Sequence, residues 1–309
     1  MSPENHTTVT GFILLGLSEV PIFQPLVFAM LLCLYIVTVM ANTLIVVIIN
    51  ADHTLHTPMY FFLTQLSCLE VCYTSITIPK MLESLANQAD ISFMGCAMQM
   101  FFFLFFGVAE CFFLASMAFD RYVAICDPLR YTVVVSRRLC GQLALGSWAC
   151  GAAVGVGHTV FIFSLPFCGS LIDHFFCEIQ PLMELLCGGP SLNAAHIIAV
   201  AVLAIVVPFL LIIFSYSCIT ATILRMSSSA GRHKAFSTCS SHLAVVTLFY
   251  GTVGFMYLRP KSSYFPPVDK LVSLLYAVVT PLLNPIIYSL RNKEVKGALR
   301  KLWNKMFSL

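Results

Sequence analysis

Seven apolar stretches, each long enough to cross a bilayer, constrain this chain more than any other feature of its sequence. A hydrocarbon core about 30 Å thick is crossed by roughly 20 helical residues at about 1.5 Å of rise each. Such stretches centre on 25–50, 58–86, 93–126, 140–165, 195–226, 236–258 and 270–290. Apolar residues make up 59% of the 309 and charged residues only 10%, and the mean hydropathy is +0.90. In water such a chain would expose more apolar surface than it could bury, so bilayer is its natural solvent. The expected fold is an all-α integral membrane protein, a seven-transmembrane helix bundle.

No Gly/Ser linker, low-complexity tract, internal repeat or β-barrel alternation interrupts the pattern, so residues 1–309 read as a single domain. Residues 1–24 are expected to form an extracellular N-terminus, 25–290 the bundle, and 291–309 a cytoplasmic amphipathic helix and tail. Orientation follows from the basic residues. Of 17 Lys and Arg, one side takes Arg121, Arg130, Arg137, Arg138, Arg225, Arg232, Lys234, Arg291, Lys293, Lys296, Arg300, Lys301 and Lys305, leaving Lys80, Arg259, Lys261 and Lys270 opposite. The richer side is expected to be cytoplasmic in a multi-pass plasma-membrane protein. The net charge of +3 hides this asymmetry and does not point to nucleic acid. Asn5-His6-Thr7 is a glycosylation sequon on the outer side. Residues 1–24 lack the basic region and short apolar core of a cleavable signal, so the first stretch is expected to serve as its own insertion signal.

Chemistry is concentrated where polar groups meet the apolar background. Between Phe101 and Ala118 the only acidic or basic side chain is Glu110, and the stretch then runs into Asp120-Arg121-Tyr122 at the cytoplasmic edge. An acid beside an arginine at that boundary can hydrogen-bond in one state and release in another without crossing hydrocarbon. Tyr216 and Tyr288 lie near the same edge and can exchange hydrogen bonds with Arg121, or simply anchor the membrane interface. Glu110, Glu70, Asn42 and Asn284 fall at similar depths on four stretches. Lone charges there cost several kcal/mol each, so the four are expected to converge. Either a cation such as sodium lies between Glu70 and Glu110, or the two glutamates are protonated and hydrogen-bonded. Pro208, Pro281 and Pro285 each remove a helix hydrogen bond and provide hinges.

Of 13 cysteines, nine lie in apolar stretches or at the cytoplasmic edge and read as small buried hydrophobes. Cys96, Cys168, Cys177 and Cys187 lie outside, where three disulfide connectivities are open and zinc binding with His174 is a further alternative. After Tyr288, apolar Leu290, Val295, Ala298, Leu299 and Leu302 share one helical stripe amid basic residues, which suits a helix lying on an anionic leaflet or a calmodulin-type target.

These residues carry a resemblance to a family. Asp120-Arg121-Tyr122, Pro58-Met59-Tyr60-Phe61-Phe62-Leu63, Ser215-Tyr216, Lys234-Ala235-Phe236-Ser237-Thr238-Cys239-Ser240-Ser241-His242-Leu243 and Pro281-Leu282-Leu283-Asn284-Pro285 follow in order. The whole chain resembles an olfactory receptor of the rhodopsin-like G-protein-coupled class. Departures are Ala41 before Asn42, where glycine is usual, and Glu70, where aspartate is commoner. Phe249-Tyr250-Gly251 is the olfactory form of the sixth helix.

The resemblance implies odorant binding from outside and coupling to a stimulatory heterotrimeric G protein that raises cyclic AMP, with no cofactor and no catalysis. It implies a Cys96–Cys177 bond, which leaves Cys168–Cys187 as the second pair. It also implies a ligand pocket among the outer halves of four helices. Met100, Phe103, Leu104, Gly107, Val108 and Cys111 fall at helical spacing on the third. Alignment to the family adds Ile197, Val200, Ala201 and Ala204 on the fifth, Tyr250, Val253, Gly254 and Tyr257 on the sixth, and Ser273, Leu274 and Ala277 on the seventh. This lining is almost wholly apolar. Phe103 stands where amine receptors carry an aspartate, and the seventh stretch has no interior lysine for a retinal Schiff base. The expected ligand is therefore small, neutral and mostly apolar, with one hydrogen-bonding group held by Tyr257 or Tyr250. A rhodopsin-like receptor for a non-odorant ligand is the alternative. A secondary transporter would show paired repeats with broken helices, and an intramembrane enzyme a metal or nucleophile constellation, whereas His158, His196 and His242 stand singly in the sequence.

Overall fold

The computed structural model describes residues 9–16, 24–86, 89–187, 199–257, 266–290 and 293–307. Asn5, Ile197, His196, Arg259, Lys261 and Arg291 lie outside the described residues. Seven helices are long and apolar enough to span a membrane: Gln24–Ala51, Pro58–Ala86, Phe93–Cys126, Arg137–Phe163, Ala199–Arg225, Ser229–Tyr257 and Val268–Tyr288. The protein is a multi-pass seven-transmembrane bundle, and these helices are called the first to seventh spans. Leu26, Met40, Leu145, Val160, Leu210 and Phe214 are each more than half exposed, which is stable only against hydrocarbon.

Local chemistry sets the helix starts. The Ser92 hydroxyl accepts from the Gly95 amide, that of Ser136 from Leu139, and that of Ser228 from Gly231, so serine caps open the third, fourth and sixth spans. Pro58 opens the second, where its missing N–H is no loss. Interior prolines act differently. The backbone widens to π-helix at Val202–Val206 just before Pro208 and at Leu275–Val279 just before Pro281, each of which withholds one helix hydrogen bond. Pro285 cannot donate to the Pro281 carbonyl, and the Asn42 amide fills that place from the first span at 3.1 Å.

The third span is the axis of the bundle, with 72% of its most apolar stretch buried against 28% for the first, fourth and fifth. The fourth packs on it through Gly151 and Gly155. A Cβ on Gly151 would collide with the Phe105 carbonyl, and one on Gly155 would lie 3.1 Å from the Phe101 carbonyl. This is close backbone approach through small residues four apart, as membrane helices use it. Trp148 completes the contact, its ring centroid 5.4 Å from Phe105 and its indole N–H donating to Gln65 at 3.1 Å.

A small sheet that helical periodicity could not announce covers one end. Strand β1 (Gly11–Leu14) is central, antiparallel to β2 (Ala89–Ser92) and parallel to β3 (Leu171–Ile172). Phe12 packs edge-on against Phe163 and Phe167, at 6.4 and 5.2 Å. Lys270, at the start of the seventh span, ties the cap down by donating to the Gly16 carbonyl at 3.0 Å and to Asp173 at 2.6 Å.

At the opposite, basic end, the helix Lys293–Phe307 buries Val295 and Ala298 and exposes Lys296 and Arg300. Two bonds fix it: Tyr60 donates to Glu294 at 2.7 Å, and Lys301 pairs with Asp52 at 3.0 Å. Hydrogen bonds from the Thr54 hydroxyl and amide, then Lys301, hold the Asp52 carboxyl down at about 2. The Asp52 carboxylate therefore stays charged throughout the physiological range.

Candidate functional site

Three levels of polar chemistry lie along the bundle. At the capped end, two disulfides close the loops: Cys96–Cys177, Cα atoms 5.5 Å apart, and Cys168–Cys187, 5.1 Å apart. All four outer cysteines are thus oxidised, which removes the thiolates that zinc would need. Among the described residues no group of three or more His, Cys, Asp or Glu could hold a metal ion.

Below the cap lie the residues expected to line the pocket. Met100, Phe103, Leu104, Val108, Cys111, Ala204, Tyr250, Val253, Ser273 and Ala277 are buried, and Gly107, Val200, Ala201, Gly254, Tyr257 and Leu274 partly so. A Cβ on Gly107 would meet nothing within 4 Å. Phe103 makes ring contacts with Tyr73, Phe176 and Tyr276 at 5.6, 5.4 and 6.0 Å. Tyr250 donates to the Cys111 carbonyl at 3.4 Å and packs on Phe209.

The expectation of an almost wholly apolar surround is corrected here. The loop after the fourth span delivers Glu178, 0% exposed, and His174, 2% exposed, into this region. Tyr257 donates to Glu178 at 3.2 Å, and the His174 Nε2 lies 2.9 Å from the other carboxylate oxygen. Sequence reasoning missed both because loop residues carry no periodicity that says which way they face. The His-x-x-x-Glu spacing after the fourth span was the available signal.

At mid-depth, Asn284 donates to Glu70, and the Glu110 carboxyl group lies in the same buried layer, near enough to Glu70 for the two to interact electrostatically. Asn42 reaches this layer through the Pro281 carbonyl rather than by touching a carboxyl group. Glu70, Asn42, Asn284 and Glu110 are all at most 3% exposed.

The basic end holds Asp120, Arg121, Tyr122, Tyr216 and Tyr288. Asp120 does not pair with Arg121, as their adjacency led us to expect. Its carboxyl group accepts from Tyr131, in the short helix Tyr131–Val134, at 2.7 Å. Neighbours in sequence on one helix diverge by roughly 100°, so a partner from the next loop meets Asp120 more easily than its own neighbour does. Burial, then the Asp120 carboxylate, raises the Tyr131 phenol above its ordinary value and keeps it a donor. Tyr216 likewise bonds His242, at 2.8 Å with stacked rings, rather than Arg121. His242, single in the sequence, is thus partnered in space and joins the fifth and sixth spans. The buried Tyr288 hydroxyl has no protein partner among the described residues, and Cys126 meets Thr222 at 3.2 Å.

Seven spans, a disulfide-tied cap over a buried aromatic and polar layer, and Asp120 and Arg121 adjacent but unpaired at the far end are the architecture of a seven-transmembrane receptor. The chain belongs to the olfactory receptor family: a family model described as olfactory receptor matches residues 31–306. It is similar to the human olfactory receptors 10C1 (58% identical over 299 residues, covering 96% of each chain) and 10A7 (53% over 300, covering 96% of this chain and 95% of the relative). It is also similar to mouse olfactory receptor 5G9 (48% over 301, covering 97% and 96%). The family is one of G-protein-coupled receptors, not enzymes.

Proposed function

We propose that residues 1–309 act as one receptor domain that binds a small odorant beneath the cap and activates a stimulatory heterotrimeric G protein, raising cyclic AMP. In this reading the capped end, with its disulfides and the Asn5 sequon, is extracellular, and the basic end with the C-terminal helix is cytoplasmic in the plasma membrane. The observation that carries it is the separation of the two polar layers within a chain of this family. A buried aromatic and polar surround lies under an oxidised cap, and Arg121 lies at the opposite end beside the fifth and sixth spans. Expression of the full chain with a cyclic-AMP reporter and an odorant panel tests the reading. Ligand-dependent signals that vanish when the stimulatory G protein is removed are expected. Signals that persist without it overturn the coupling.

The residues set out for the third, fifth, sixth and seventh spans form the pocket in this reading, with Gly107 leaving space for the ligand. Gly107→Leu adds four carbons there. It is expected to abolish responses to the larger agonists of a homologous series while sparing the smallest, with receptor delivery unchanged. Uniform loss across the series would place Gly107 outside the pocket.

For the mid-depth layer, the closeness of Glu70 and Glu110 favours a shared proton over a bound cation, because two ionised carboxyl groups side by side at that depth repel strongly. Basal cyclic AMP measured against sodium concentration should then be flat in wild type and in Glu110→Gln alike. A sodium dependence present in wild type and absent in the variant would restore the cation.

A further inference from the structure

We propose that the receptor selects odorants bearing an O–H or N–H donor, received by the Glu178 carboxylate; the inference rests on the odorant-receptor reading above and names the ligand class of that site. The segment carrying Glu178 is held from three sides. Cys177 is bonded to Cys96, and its amide donates to Gln99 at 2.9 Å. The Phe175 carbonyl accepts from Ser84 at 3.4 Å, and Gln180 donates to the Met256 carbonyl at 2.5 Å. The carboxylate is thus preorganised on the second, third and sixth spans rather than carried on a free loop.

Its surroundings define what it can recognise. One oxygen takes the Tyr257 hydroxyl and the other faces His174. Tyr257 thus presents a donor to one oxygen, while the other, Oε2, is buried with no hydrogen-bond partner among the described residues and is open to accept one. A carboxylate offers about four lone-pair directions, so positions remain for a further donor. Phe103 and Phe176, in ring contact at 5.4 Å, supply the apolar wall beside it.

An alcohol, phenol or amine reaching this carboxylate gains a charge-assisted bond. A ketone, ester or ether of the same shape brings only acceptors and strips the carboxylate of solvent without replacing it. Position 103 holds no acid on the third span, so Glu178 supplies from a loop the acceptor that the helix lacks.

The test uses the full-length receptor with the cyclic-AMP readout and a primary alcohol, a primary amine and a methyl ether on one carbon skeleton. On wild type, the alcohol, the amine or both should act at concentrations about tenfold or more below the ether, since a charge-assisted bond is at stake. The alcohol and amine arms separate a neutral from a cationic donor. In Glu178→Gln, surface expression being matched, the gap should close to about threefold or less, because the amide is a weaker acceptor and brings a donor of its own. Tyr257→Phe, which keeps the carboxylate, should preserve the preference. If Glu178→Gln is not delivered to the surface, the wild-type ratio decides alone. Equal potency of alcohol, amine and ether on wild type overturns the inference while leaving the receptor reading intact. Equal shifts of all three ligands in Glu178→Gln also overturn it. A wild-type receptor silent to every odorant would overturn both.

Discussion

Replacing Arg121 with alanine is expected to eliminate ligand-evoked cyclic-AMP responses while leaving the amount of receptor at the surface unchanged. Arg121 is half-buried, and among the described residues no ion pair holds it, since Asp120 is engaged by Tyr131. Its guanidinium lies within electrostatic reach of Tyr216, His242 and Tyr288. Outward movement of the sixth span would break the Tyr216–His242 bond and free the Tyr216 hydroxyl to meet Arg121 beneath a bound G protein. The substitution deletes the charge at the centre of that rearrangement without opening the core, so folding should be spared. Surface labelling and cyclic AMP measured in the same cells check it. A normal response from Arg121→Ala would remove the arginine from the switch. Asp120→Asn probes the other half of the pair, because an amide still accepts from Tyr131; a small effect there and a total one at Arg121 is the expected pattern.

Gly151→Val is expected to remove the receptor from the cell surface altogether. The fourth span lies so close to the third that a Cβ on Gly151 would strike the Phe105 carbonyl and press on Ala109 at 3.2 Å. Backbone cannot rotate aside as a side chain can, so the helices must separate along their length. That costs about 1–3 kcal/mol for the overpacking alone and further loosens the Trp148 contacts. Native stability is marginal, so such a loss leaves a large unfolded fraction for quality control to remove. Gly157, on the same helix, has nothing within 4 Å of a built Cβ, and Gly157→Ala should be delivered normally. Surface fraction, with thermal melting of the detergent-solubilised receptor, measures both. Wild-type delivery and melting of Gly151→Val would mean the spans are not closely packed there.

The spans were legible because apolar length is a local property, and five of the fourteen boundaries expected from hydropathy coincide with the helix ends seen at Pro58, Ala86, Phe93, Cys126 and Leu290. The disulfide partners were not legible from spacing, which left three connectivities, and came only from the resemblance. Partners across space were the least legible. Nothing in the sequence says that Asp120 turns toward Tyr131, that Tyr216 meets His242, or that Asn42 seeks a carbonyl left open by a proline on another helix. Glu178 was hidden for a further reason. A glutamate in a polar loop reads as solvated, and its burial depends on disulfide closure and on contacts with three spans far apart in sequence.

The position of β1 in the middle of its sheet sets an order of events during biosynthesis. Its antiparallel partner, Ala89–Ser92, emerges only after the second span, and its parallel partner, Leu171–Ile172, only after the fourth. The first strand made must therefore wait, its apolar Phe12, Ile13 and Leu14 unpaired, until two helices have been inserted, and its sheet is complete only after four. Pairing across such long separations is slow, and an unpaired apolar strand is a site for mispairing while it waits. Completion of the cap is thus a late step that reports on whether half the bundle has been inserted. A fusion partner placed ahead of residue 9 leaves that step free to occur, whereas a deletion through Leu14 removes the strand that both loops need.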